Sequence, residues 1–172
     1  MSTAIASPAA APLGDATRER FAREVAKYPA DQAQSAVMAC LSIVQQEQGW
    51  VSPASEKAVA DYLGMPVMAV HEVTTFYNMY NQKPVGRFKL NVCTNAPCMF
   101  AGGPEALRHL CGKLGVEPYG TTADGQFTVQ PSECLGACGD APVMLVNDRH
   151  MCSFMSNDKL DQLVDGLRQA ED

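Results

Sequence analysis

Val92-Cys93-Thr94-Asn95-Ala96-Pro97-Cys98, answered downstream by Glu133-Cys134-Leu135-Gly136-Ala137-Cys138, is the pair of segments on which this chain turns. Four of its seven cysteines stand there, in a C-x4-C and a C-x3-C loop. That count matches a cage for one [2Fe-2S] cluster. Each iron takes tetrahedral sulfur ligation, and two bridging sulfides leave room for four protein thiolates. Structural zinc favours C-x2-C knuckles, which close a tight turn onto one ion, and neither loop has that spacing. Thioredoxin-type dithiol chemistry needs C-x-x-C, and that pair is missing too. A disulfide framework belongs to small secreted domains, whereas the cysteine count here is odd and no secretory segment is written. A zinc-stabilised binding module and a thiol oxidoreductase remain the rival readings.

The strand pattern around the loops sets the fold. Phe88-Lys89-Leu90-Asn91-Val92-Cys93 alternates like a strand that delivers Cys93 to its loop, and Phe127-Thr128-Val129-Gln130 is a second strand running toward Cys134. Between them Gly102-Gly103-Pro104 opens a helix carrying Leu107, Leu110, Cys111 and Leu114 on one stripe. Cys111 thus reads as structural. Val143-Met144-Leu145-Val146, the turn Asn147-Asp148, and Arg149-His150-Met151-Cys152 form a hairpin, and Leu160, Leu163, Val164 and Leu167 mark a closing helix. One crossover helix and one terminal helix on a four-stranded sheet are compatible with a compact thioredoxin-like domain, which would put both cysteine loops at one end.

Upstream, helical periodicity runs from Thr17 to Asn81. Phe21, Val25 and Tyr28 share a face before Pro29; a second helix from Asp31 to Gln48 buries Val37, Cys40, Leu41 and Val44, with Gly49 as its cap. Cys40 therefore reads as core. Ser52-Pro53 is a helix start that runs to Gly64, and Pro66 opens a fourth helix, Val67 to Asn78. Met65, Met68, Met79, Phe76, Tyr77 and Tyr80 read first as core at that spacing, with a docking face as the alternative. The expected organisation is α+β: a tail over 1–16, a helical bundle over 17–82, a hinge at Lys83-Pro84-Val85-Gly86 and a thioredoxin-like domain over 86–170.

Charge and composition exclude several function classes. The 172 residues are 47% hydrophobic and 19% charged, with a net charge of -6. Six basic against eight acidic residues in 1–85 give -2, and seven against eleven in 86–172 give -4. No basic face is offered to nucleic acid. The tail, rich in Ala and Pro, lacks the basic start and apolar core of a signal peptide, and no apolar run approaches the roughly 20 residues of a bilayer span. No G-x-G-x-x-G follows a strand, so neither NADH nor flavin is expected on this chain. With four cysteines available, His71, His109 and His150 read as surface or packing residues.

The two cysteine strings, together with Ala141-Pro142, Gln45-Gln46-Glu47-Gln48-Gly49-Trp50 and Val73-Thr74-Thr75-Phe76-Tyr77-Asn78-Met79-Tyr80, resemble a known family, the thioredoxin-like [2Fe-2S] subunits of NADH:quinone oxidoreductase, respiratory complex I. The resemblance implies a helical bundle followed by a [2Fe-2S] ferredoxin domain, with Cys93, Cys98, Cys134 and Cys138 as ligands. It implies a non-catalytic electron-transfer subunit that exchanges one electron with the flavin of a partner. FMN and NADH sit on that partner, and the assembly is cytoplasmic and peripheral to the inner membrane. Related subunits occur in NAD-linked hydrogenases and formate dehydrogenases. His150-Met151-Cys152-Ser153-Phe154-Met155 fits the family pattern less well, and no functional residue is taken from it.

Reduction adds negative charge to a site already ringed by thiolates, so the potential should be low. Glu133 and Asp140 flank the second loop, while no Lys or Arg occurs between Lys89 and Arg108 or between Lys113 and Arg149. Compensation must come from backbone N–H groups, and the Gly102-Gly103 turn and the small residues of the second loop either allow close approach of amide to sulfur or simply make turns.

Overall fold

A computed structural model describes residues 13–170, so most of the expected tail, 1–16, lies outside the described residues. The chain divides into two compact units, Met1–Pro84 and Val85–Asp172.

The first unit is helical: α1 (Asp15–Val25), a 3-10 segment (Ala30–Ala36), α2 (Val37–Gln48), α3 (Pro53–Leu63) and α4 (Val67–Phe76). Punctuation residues act as expected. The Ser52 hydroxyl accepts from the Ser55 amide at 3.1 Å, and Gly49 and Gly64 close α2 and α3 in the left-handed conformation. Phe21, Cys40, Leu41, Val44, Val59 and Val70 form the core, which confirms the core reading of Cys40. Three expectations change. The second helix is two pieces, a 3-10 segment with non-helical geometry at Gln32 and then α2. The first helix begins at Asp15 and ends at Val25, which leaves Tyr28 beyond it and exposed. Of the six Met and aromatic residues read first as core, Tyr80 is buried, but Met68, Phe76, Tyr77 and Met79 are exposed. The α4 helix stops at Phe76, so helical spacing does not carry Tyr77 and Met79 back to the core.

The second unit contains β1 (Phe88–Cys93), α5 (Ala96–Phe100), α6 (Gly103–Leu114), β2 (Gly120–Thr121), β3 (Phe127–Ser132), β4 (Met144–Val146), β5 (His150–Cys152) and α7 (Asn157–Gln169). The sheet has five strands, in the order β2-β3-β1-β4-β5, where four were expected. The additional strand is only two residues long, below the length at which alternation is legible. The β3 strand extends through Pro131 to Ser132. Proline is tolerated there because β2 pairs only at Thr128 and Val129, which leaves that edge open beside Pro131. Between β4 and β5, Asn147 and Asp148 both have positive φ, the geometry of a tight hairpin turn. Leu90, Val92, Phe127, Val129 and Met144 pack against Leu110 of α6 and Leu160 and Val164 of α7.

The consequential pairing is β1 with β3, which is parallel and sets Cys93 opposite Ser132. Two parallel neighbours end at the same sheet edge, so the loops leaving them must meet there.

Candidate metal centre

Cys93 is the last residue of β1 and Cys98 lies in α5, one turn further on. Asn95 caps that helix, its Oδ1 accepting from the Ala96 amide at 2.9 Å, and Pro97 occupies the first turn. The α5 helix is not among the expected elements, although Asn followed by Ala-Pro is a start signal. Both sulfur-bearing residues of this loop are buried, at 2% and 1% exposure. Gly103, at the head of α6, explains how the backbone closes over them. A Cβ there would collide with the Cys93 carbonyl oxygen and lie 2.9 Å from that of Cys98. The glycine thus permits close approach to the backbone carbonyls of the two cysteines.

The second loop leaves β3 at Ser132. Cys134 and Cys138 are exposed, with their sulfurs 3.6 Å apart. That separation is close to the edge of a sulfur tetrahedron, about 3.8 Å for metal–sulfur bonds of about 2.3 Å. Gly136, in the left-handed region, turns its amide onto Cys134 Sγ at 3.4 Å. The amide field expected from the small residues of this loop is therefore present. The loop is tied on both sides. On one side, Asn95 Nδ2 donates to Glu133 Oε2 at 2.6 Å and the Thr94 amide donates to the Ser132 carbonyl at 3.1 Å. On the other, the Ser153 hydroxyl donates to Asp140 Oδ2 at 2.9 Å and the Phe154 amide donates to the Asp140 carbonyl at 2.8 Å. The segment His150 to Met155, which contributes no functional residue by its sequence pattern, thus supplies an anchor.

The four thiols feel one another. Burial pushes the Cys98 thiol up, the Val143 backbone opposes this, and Cys93 and Cys138 push it further. Cys138 is raised by its hydrogen bond with Cys134, by burial, and then by Cys134 and Cys93. Neighbouring thiols thus disfavour the charged form of both Cys98 and Cys138. The Cys134 and Cys138 sulfurs form a close pair, and among the described residues no group of three or more Cys, His, Asp or Glu side chains is placed to hold a metal ion.

The remaining cysteines differ in kind. Burial pushes Cys40 up to about 12, helped by Glu24, and burial likewise raises Cys111 and Cys152. What sets these three apart is position, since none of them lies in either cysteine loop. The histidines engage carboxylates: His71 Nδ1 lies 3.1 Å from Glu56 Oε2 and His109 Nε2 lies 2.8 Å from Asp161 Oδ1, while His150 is exposed.

Residues 21–168 match the family described as thioredoxin-like [2Fe-2S] ferredoxin. The chain is 37% identical to a subunit of the NADH-quinone oxidoreductase of Rickettsia conorii, over 84% of this chain and 86% of the relative. It is 40% identical to a subunit of the NADH-quinone oxidoreductase of Rhizobium meliloti, over 90% of each. Among solved structures, an NAD+-reducing [NiFe]-hydrogenase in the H2-reduced state shares the fold at a TM-score of 0.67 and 21% identity, over 79% of this chain and 23% of that one. On the strength of that family match and those relatives, the chain belongs to the thioredoxin-like [2Fe-2S] ferredoxin family and, within it, with the corresponding subunits of NADH-quinone oxidoreductase.

Proposed function

We propose that this chain is the electron-transfer subunit of an NADH-oxidising complex of the NADH-quinone oxidoreductase type, and that Cys93, Cys98, Cys134 and Cys138 hold one [2Fe-2S] cluster. The observation that carries this reading is the meeting of two cysteine pairs at the end of two parallel strands. The Cys134 and Cys138 sulfurs, 3.6 Å apart, have the spacing of two ligands on one iron. When bound, such a cluster supplies one-electron transfer with no bond made to substrate.

The chain's own residues set the conditions for that chemistry. Cys93 and Cys98 exclude water from one side, whereas Cys134 and Cys138 open to the surface, where an electron partner must approach. The Gly136 amide favours charge on Cys134, while Glu133 and Asp140 disfavour added negative charge. NADH and FMN belong on the partner, and the helical region 17–82 is a docking element, for which exposed Met68, Phe76, Tyr77 and Met79 supply apolar surface. Among the described residues no helix is long and apolar enough to cross a membrane, so attachment to the cytoplasmic face of the inner membrane would run through the complex.

Low-temperature EPR of the dithionite-reduced protein, with iron and acid-labile sulfide analysis, tests this reading. Equal iron and sulfide and an axial or rhombic one-electron signal are expected, with no NADH-dye activity until the flavin subunit is added. A colourless zinc protein, or NADH turnover by the pure chain, would overturn it.

A further inference from the structure

The two cysteine loops are bridged by one side-chain pair, and its geometry carries a role for both partners. Asn95 lies between the two cysteines of the first loop, and Glu133 immediately precedes the first cysteine of the second. Asn95 Oδ1 is already engaged by the Ala96 amide at 2.9 Å, which fixes the carboxamide orientation and leaves Nδ2 to donate. Nδ2 meets Glu133 Oε2 at 2.6 Å, a short, charge-assisted contact. One carboxamide therefore caps the helix that carries Cys98 and holds the residue next to Cys134.

We propose that Asn95 and Glu133 form a latch that fixes the spacing of the two cysteine pairs, and that both are positioning residues for the metal centre. The exposed second loop needs such a tie, because the backbone bond from Thr94 to Ser132 ends before the first exposed cysteine. The latch also places the one anionic side chain next to Cys134 against a hydrogen-bond donor, so that its charge is directed away from free rotation over the sulfurs. This inference rests on the cluster assignment proposed above, and its test separates the two.

Asn95→Asp keeps a good helix cap but sets carboxylate against carboxylate, which opens the latch. Glu133→Gln keeps an acceptor for Nδ2 and removes the charge. The double variant Asn95→Asp/Glu133→Gln reverses donor and acceptor at the wild-type net charge. Iron loss from the oxidised full-length protein to a chelator should be roughly tenfold faster in Asn95→Asp, the scale of one charge-assisted hydrogen bond. It should return to within about twofold of wild type in the double variant. Glu133→Gln should hold iron nearly as well as wild type and shift the reduction potential upward. Unchanged iron loss in Asn95→Asp, or no recovery in the double variant, would overturn the latch. Hydrogen exchange of the second-loop amides in the metal-free full chain follows the latch without any cluster. Faster exchange in Asn95→Asp that is reset in the double variant upholds the latch, and does so even if the wild-type protein takes up no iron, a result that would sink the functional reading alone. Identical exchange in all four proteins would sink the latch alone.

Discussion

The two cysteine loops serve one site by opposite means. The first is built into secondary structure: Cys93 ends the central strand, Cys98 sits in a capped helix, and both are buried beneath a glycine that admits no side chain. The second is an exposed excursion whose one regular piece is a 3-10 turn (Cys138–Asp140), held by the side chains of Asn95 and Ser153 and by backbone bonds at Ser132 and Asp140. The proposed metal centre would thus have one wall set in core and the other hung on hydrogen bonds, one rigid and one adjustable. The adjustable wall is the one exposed at the surface.

The largest expected effect sharpens that contrast. Alanine at any of Cys93, Cys98, Cys134 or Cys138 should abolish or cripple iron incorporation, as read by iron and sulfide content, while Cys40→Ala and Cys111→Ala leave it intact. In the metal-free chain the loops should part company. Cys98→Ala should cost about 1 kcal/mol of stability through the void it leaves, and Cys134→Ala should leave the urea midpoint unmoved. Equal cost at both positions would erase the distinction between wall and excursion.

Next in size, Gly103→Ala should destabilise the protein by about 1–3 kcal/mol, because its Cβ meets the backbone carbonyls of Cys93 and Cys98, which have little freedom to yield. Gly139→Ala in the second loop meets nothing within 4 Å and should change stability by less than about 0.5 kcal/mol. Thermal melts of the two variants make this comparison directly. Ser153→Ala removes one anchor of the second loop and should cost about 1 kcal/mol locally, visible as roughly fivefold faster amide exchange around Asp140 with the first loop unchanged.

The smallest effect lies away from both loops. The His109 hydrogen bond, and then Lys113, hold the Asp161 carboxyl below its usual range. A depressed carboxylate contributes stability that is present above the unfolded value and is lost as pH falls through the folded one. In His109→Ala the decline of Tm from about pH 5 to about pH 3 should therefore be shallower, with iron content at neutral pH unaffected.

How legible each loop is in the sequence follows the same division. The strand ahead of Cys93, the crossover helix from Gly103 and the Asn147-Asp148 hairpin announce themselves through alternation, helical spacing and turn chemistry, and they place the first loop almost by themselves. The four cysteines are legible by spacing alone. The anchors of the second loop are not, because a contact between Asn95 and Glu133, or between Ser153 and Asp140, depends on strand pairing that no local window contains. The two-residue β2 strand and the five-residue α5 helix fall below the length at which periodicity speaks. The aromatic and methionine group after Val67 misleads for another reason: its helix ends sooner than the apolar run does.

The parallel pairing of β1 with β3 also has a consequence in time. Cys93 and Ser132 become neighbours only after the whole crossover through α6 has closed, and closing so long a stretch costs chain entropy before any contact rewards it. Each cysteine pair exists on its own as soon as its loop is made, but the quartet does not. During synthesis the first pair emerges well before its counterpart, so the order of events is dictated by topology: the sheet must register before the four thiols can stand together. On the proposed assignment, the complete donor set is available to a cluster only after the sheet has formed.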